Sequence, residues 1–158
     1  MNQAWTTMPS PVGTLLLRSD GASLTGVHFS PFEPPEGPAS DGHPVLDEAR
    51  RQLTEYFTGE RTEFVLPLAP QGSAFQQRVW TALRAIPYGR TVSYAEIARR
   101  LALPPGAARA VGLANGSNPI AIVVPCHRVI GSDGTLTGYG GGLERKQALL
   151  ALESPGLF

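Results

Sequence analysis

Apolar residues cluster in two short runs near the start of the chain, Gly13 to Ser19 and Ser23 to Phe29, with Asp20-Gly21 between them. Leucine- and valine-bearing runs of that length around an Asp-Gly pair predict a β-hairpin closed by a tight turn. Ser30 to His43 holds Pro31, Pro34, Pro35 and Pro38 and predicts an exposed loop. From Pro44 the period lengthens. Val45, Leu46, Ala49, Leu53, Tyr56 and Phe57 recur three and four apart, the stripe of an amphipathic helix, and Gly59 ends it. Glu63 to Leu68 is predicted as a further strand, so the first half is a small sheet with one helix packed on it.

Pro67 to Gly72 has the composition of a linker. After it, Ser73 is placed to cap a helix with an apolar face of Phe75, Val79, Trp80, Leu83 and Ile86, stopped by Pro87-Tyr88-Gly89. Ser93 and Glu96 have capping-box spacing before Ile97, Ala98 and Leu101. Leu103-Pro104-Pro105-Gly106 breaks this short helix, and Ala107 to Ala114 resumes one in small residues around a single arginine, Arg109. Two short helices about a Pro/Gly turn resemble a helix-turn-helix, although many helical hairpins bind nothing. Asn118-Pro119 turns the chain into Ile120 to Val124, predicted as a buried strand from its β-branched content. Asp133-Gly134 makes a turn, Tyr139 to Gly142 a loop, and Leu143 to Leu152 a last helix ended by Pro155 and Gly156. The expected fold class is mixed α and β, with a small amino-terminal sheet-plus-helix domain at 1–70 and a mostly helical domain with a helix-turn-helix at 71–158.

Composition sharpens this division. The 158 residues are 42% hydrophobic and 16% charged, enough apolar material for one domain or two small ones. The chain carries no net charge, yet residues 1–70 hold four basic residues against nine acidic and residues 71–158 nine against four, net −5 and +5. A split of that sign suggests that only the second half meets something negative, though solvated helix faces also produce it. The first twenty residues lack a basic and apolar leader, and no apolar run approaches the roughly 20 residues that cross a bilayer. A cytoplasmic protein with no membrane partner is expected. The single cysteine, Cys126, excludes an internal disulfide and every multi-cysteine zinc framework.

A lone cysteine in such a protein is usually an inert apolar residue. Cys126, however, ends an apolar run, follows Pro125 and precedes the titratable pair His127 and Arg128. A neighbouring imidazole and guanidinium favour the thiolate, the nucleophilic form. Adjacent residues of an extended segment point to opposite faces, so contact between the His127 ring and the sulfur needs a turn there or a bridging water.

Pro125-Cys126-His127-Arg128-Val129-Ile130 stands among further ordered words: Arg109-Ala110-Val111-Gly112, Asn115-Gly116-x-Asn118-Pro119 and Tyr139-x-Gly141-Gly142. Together they resemble the O6-alkylguanine-DNA alkyltransferases, densely over residues 73–153, and Ser10-Pro11-x-Gly13 is similar to the start of that family's amino-terminal domain. The resemblance implies a monomeric DNA repair protein without cofactor or metal that clusters on its substrate. It binds the minor groove of double-stranded DNA through a helix-turn-helix, turns out O6-alkylguanine (and O4-alkylthymine), and takes the alkyl group irreversibly onto its own cysteine. Cys126 is then the acceptor. Glu153 and His127 form, with water, the relay that deprotonates it, and Asn118 braces the turn. Arg109 fills the gap left by the base, with Ala108 and Gly112 among the small residues that bring the helix close to the groove. Tyr94 crowds the neighbouring phosphate, and Tyr139, Val129 and Tyr94 lie at the base, with the Tyr139 hydroxyl donating to it.

The chemistry fits: dealkylating a guanine oxygen needs a soft, strong nucleophile and a donor that prevents charge from building on the leaving base. Two departures stand out. The zinc site of some members has no counterpart, since the first half offers only His28 and His43, and Gly140 stands where a serine often follows the tyrosine. Three other readings remain open from the residues: a non-catalytic lesion-binding relative, against which Cys126 argues, a helix-turn-helix regulator, and a cysteine hydrolase.

Overall fold

The computed structural model describes residues 3–136 and 138–157. The chain divides into two compact units, one running up to Gln71 with Pro119–Ala121 added, the other comprising Gly72–Asn118 and the residues from Ile122 onward.

In the first unit, β1 (Ala4–Met8), β2 (Leu15–Ser19) and β3 (Leu24–Phe29) form an antiparallel sheet in that order. The β2–β3 hairpin is the expected one, and Asp20 closes it by accepting from the backbone N–H groups of Ala22 and Ser23 at 2.9 and 2.8 Å. β1 was not anticipated. Its only apolar alternation is Ala4, Thr6 and Met8 turned inward, too short and too polar to stand out from the neighbouring residues. Helix α1 (Pro44–Phe57) lies on the sheet, with Pro44 at its first position and Leu46, Ala49, Leu53 and Tyr56 buried.

The strand expected at Glu63 to Leu68 is not one. Instead of joining a ladder, Val65 donates its N–H to Oε1 of the buried Gln52 at 2.9 Å and its C=O accepts from Gln52 Nε2 at 3.0 Å, and Pro67 has no N–H to give. Only Leu68 pairs, in a single parallel bridge to Leu24. Ile120 to Val124 is buried as expected but is likewise not a strand. Ile120 makes one bridge to Val27, and the chain then turns at once, with Ile122 at φ +71°. These two segments cover the edge of β3 that would otherwise be unpaired.

The second unit is mostly helical: α2 (Ala74–Arg84), α3 (Tyr94–Arg100), α4 (Ala108–Gly116) and α5 (Leu143–Glu153), with β4 (Val92–Ser93) paired in parallel to β5 (Val129–Ile130). Ser73 and Gln76 form a complete capping box on α2. Ser93 caps α3 by accepting from Glu96 N at 3.0 Å, but the Glu96 carboxylate turns outward to Arg99 and Arg100, so that box is only half made. The buried Trp80 indole donates to the Ala114 carbonyl at 2.8 Å and so ties α2 to α4. Gly72 lies against the same ring, where a Cβ would collide with it. Among the described residues no helix is long and apolar enough to cross a membrane.

Candidate active site

Cys126 opens a short 3-10 turn, Cys126–Arg128, that supplies the bend needed after the apolar run. Two asparagines hold this backbone from outside. Asn118 Nδ2 donates to the Val124 carbonyl at 2.8 Å and Asn115 Nδ2 to that of Cys126 at 3.3 Å. A left-handed isoleucine costs on the order of 1–3 kcal/mol, so Ile122 is strain that these bonds and the surrounding packing offset.

The turn sends three neighbouring side chains to different partners. The Cys126 thiol is buried, which pushes its pKa up, while hydrogen bonds from the Asn118 and Tyr139 side chains and the charge of Lys146 pull the other way. His127 turns its Nε2 to Glu153 Oε2 at 2.7 Å, both side chains fully enclosed. Arg128 grips the same carboxylate with two bonds, Nε to Oε1 at 2.7 Å and Nη2 to Oε2 at 3.0 Å, and gives Nη1 to the Ile86 carbonyl at 2.8 Å. Gly89, at φ +77°, adds its N–H to Oε1 at 3.3 Å. Burial alone would raise the Glu153 pKa, but the bonds from His127 and Arg128 outweigh it and hold the carboxyl at about 2. Burial drives the His127 pKa down despite Glu153. The ring is therefore neutral near pH 7, and because Glu153 is an ionised acceptor the proton belongs on Nε2. That leaves Nδ1, buried and without a hydrogen bond to the described residues, as a proton acceptor.

The second cation of the site was missed from the sequence. Arg128 was expected to act on the thiol, but its guanidinium is committed to Glu153, and the cation whose charge acts on Cys126 is Lys146. The signal was present: Lys146, Leu149, Leu150 and Glu153 share one stripe of α5, so two charged residues lie on its buried face. Lys146 Nζ faces the Tyr94 ring at 5.8 Å and the Tyr139 ring at 6.0 Å. Gly112 of α4 sits beside Tyr94, with room there for a Cβ in ordinary contact. The structure thus brings Cys126, Asn118, Tyr139, His127, Glu153 and Tyr94 into one connected cluster. Val129 follows the turn in β5 and is fully buried. Arg109 and Ala108 stand apart from the cluster at the start of α4. Arg109 is exposed and makes no hydrogen bond or ion pair with the described residues, and Ala108 is half-buried. No group of three His, Cys, Asp or Glu side chains among the described residues is arranged to hold a metal ion.

Residues 74–155 match the family described as 6-O-methylguanine DNA methyltransferase, DNA binding domain, and residues 4–70 match its ribonuclease-like domain. The chain belongs to the 6-O-methylguanine DNA methyltransferase family. It is 56% identical over 149 residues to the methylated-DNA–protein-cysteine methyltransferase of Mycolicibacterium paratuberculosis, covering 93% of this chain and 90% of that protein. The Haemophilus influenzae protein of the same name is 50% identical over 153 residues, covering 94% and 85%. A crystal structure of Mycobacterium tuberculosis OGT in complex with DNA superposes with a TM-score of 0.88 at 52% identity, covering 97% of this chain and 96% of that one. The mixed fold of small sheet and following helices is that of these relatives.

Proposed function

We propose that this protein repairs alkylated DNA by moving the alkyl group of O6-alkylguanine, and of O4-alkylthymine, onto Cys126, once per molecule. The observation that carries the reading is the buried Cys126 sulfur, hydrogen-bonded from Asn118 and Tyr139 and acted on by the charge of Lys146, one residue from a buried His127–Glu153 pair whose Nδ1 makes no hydrogen bond with the described residues. A water between Nδ1 and the sulfur passes the thiol proton to His127. The thiolate attacks the alkyl carbon, the S–C bond forms as the C–O bond breaks, and the electron pair stays on the base. The base gains one proton from the Tyr139 hydroxyl, and the proton taken up by His127 returns through water to restore that hydroxyl, so the net change is alkyl to sulfur and thiol proton to guanine.

Residues 71–158 form the DNA-binding and transfer domain in this reading, and 1–70 a separate amino-terminal domain. Helices α3 and α4 act as a helix-turn-helix in the minor groove. The exposed Arg109 replaces the turned-out base, which costs a few kcal/mol to unstack. Ala108 and Gly112 keep α4 close to the groove, and Tyr94 and Val129 border the base. The protein acts as a cytoplasmic monomer that clusters on damaged DNA.

Incubation with an O6-methylguanine duplex is the test. One methyl, located on Cys126, is expected in the intact mass, with no second turnover and no gain for Cys126→Ser. Repeated turnover would mean a hydrolase, and tight binding without mass gain a regulator. Arg109→Ala is expected to slow transfer about tenfold or more on duplex and less on single strands, where no unstacking is needed. An equal loss on both would make Arg109 a charge contact only.

A further inference from the structure

The one lysine of the chain is fully buried, and taking an ammonium out of water costs several kcal/mol unless something compensates it. The carboxylate on its own helix face, Glu153, is already held by Arg128 and His127. Among the groups that Lys146 faces are the ring of Tyr94 from α3 and the ring of Tyr139 from the loop before α5, and its charge acts on Cys126 and His127 of the 3-10 turn. Three of these groups, the two phenols and the thiol, are negative only in their ionised forms, and Cys126 is the one that the alkyl-transfer reading requires to ionise.

We propose that Lys146 is a positioning residue that serves as the countercharge of the Cys126 thiolate and, through the ring faces of Tyr94 and Tyr139, fixes the two tyrosines around the sulfur. The inference rests on the alkyl-transfer reading for its purpose but not for its test. An ammonium already fixed beside the sulfur stabilises the anion as it forms and needs no reorganisation at that moment. Burial lowers the Lys146 pKa to about 8, with Cys126 acting in the opposite sense, so the cation is in place at neutral pH before any thiolate exists. The same charge disfavours an imidazolium at His127, and Glu153 is the group that balances a proton there. The division of labour is then clear: Glu153 serves the histidine and Lys146 the sulfur.

With one cysteine and one lysine, selective carbon-13 labelling gives a single Cβ resonance and a single Cε resonance to follow against pH in the DNA-free protein. Lys146→Met is expected to raise the Cys126 midpoint by about one unit or more, and Lys146→Arg to keep most of the parent value. By reciprocity, Cys126→Ser should move the lysine midpoint downward, because the forming anion is gone. Single-turnover methyl transfer by Lys146→Met should fall about tenfold or more with duplex affinity preserved. An unchanged cysteine midpoint in a folded Lys146→Met protein would overturn the proposal. Should that variant not fold, an unchanged lysine midpoint in Cys126→Ser overturns it equally. If the parent itself takes no methyl from DNA, the alkyl-transfer reading fails, while both titrations still decide the pairing of Lys146 with Cys126.

Discussion

On α1 the ionic residues face outward: Arg51 reaches Glu48 and, at 2.9 Å, Glu55, which Arg61 also holds at 2.8 Å. In the second unit the order is reversed. Arg128, Glu153, His127 and Lys146 are all buried, and Arg128 and His127 share the Glu153 carboxylate. A surface network contributes little and weakens with salt, whereas a buried one carries a large desolvation penalty that only good geometry offsets. Apolar residues of the same size would fill that space at less cost. A domain of this size that keeps four ionisable groups inside is spending stability on chemistry, and the contrast with α1 marks where the chemistry is.

The sharpest way to break that contrast is to remove one buried partner. Arg128→Met leaves Glu153 enclosed without its guanidinium, and a buried pair broken from one side loses about 3–5 kcal/mol. Urea unfolding of the variant at neutral pH should show a loss of that order. A loss below about 1 kcal/mol would mean that the carboxylate finds water and is not buried as described.

Acid should separate the two units next. Glu153 titrates at about 2 in the folded chain against an ordinary 4.5, so the stability it contributes is complete above about pH 4.5 and is lost as the pH falls toward 2. His127 acts with the same sign, because its pKa is depressed by burial: its contribution is present above 6.5 and declines below it. A shift of that size for an enclosed carboxylate corresponds to roughly 3 kcal/mol. Stability measured between pH 7 and pH 3 should therefore fall steeply in the parent and more gently in Glu153→Gln, which starts lower and has no carboxylate to titrate. Parallel slopes for the two proteins would remove Glu153 from the account of acid lability.

Much of this was legible beforehand because it depends on local pattern. The α1 stripe, the Asp-Gly hairpin, the Ser73 cap and the Cys126-His127 word are each contained in a few consecutive residues. Where the expectation failed, a distant partner decided the outcome. Val65 is kept out of a strand by Gln52, thirteen residues away. The β-branched run before Cys126 is bent by bonds from Asn118 and Asn115, so burial was inferred correctly and conformation was not. At the site, nothing in the word Cys-His-Arg indicates that Arg128 turns to Glu153 and Ile86, because that choice is made by α5 and by the end of α2. Lys146 could have been found from its place on the apolar stripe of α5, had the charge there been weighed as an anomaly.

The smallest effect completes the comparison. Glu48 also titrates well below its ordinary range, at about 2, chiefly because the Arg51 side chain hydrogen-bonds it, with Gln52 adding to the effect. Unlike Glu153, it is solvent-exposed, and so is Arg51, so water and salt screen what they share. A low titration point therefore has different consequences at the two carboxylates. Arg51→Ala should cost little at low ionic strength and close to nothing in molar salt, where the Debye length falls to about 3 Å. The loss caused by Arg128→Met should persist in the same salt, because no ions reach the enclosed carboxylate. Unfolding both variants at low and high salt reads the difference directly. A salt-insensitive loss at Arg51, or a salt-erased one at Arg128, would show that burial is not what distinguishes the two networks.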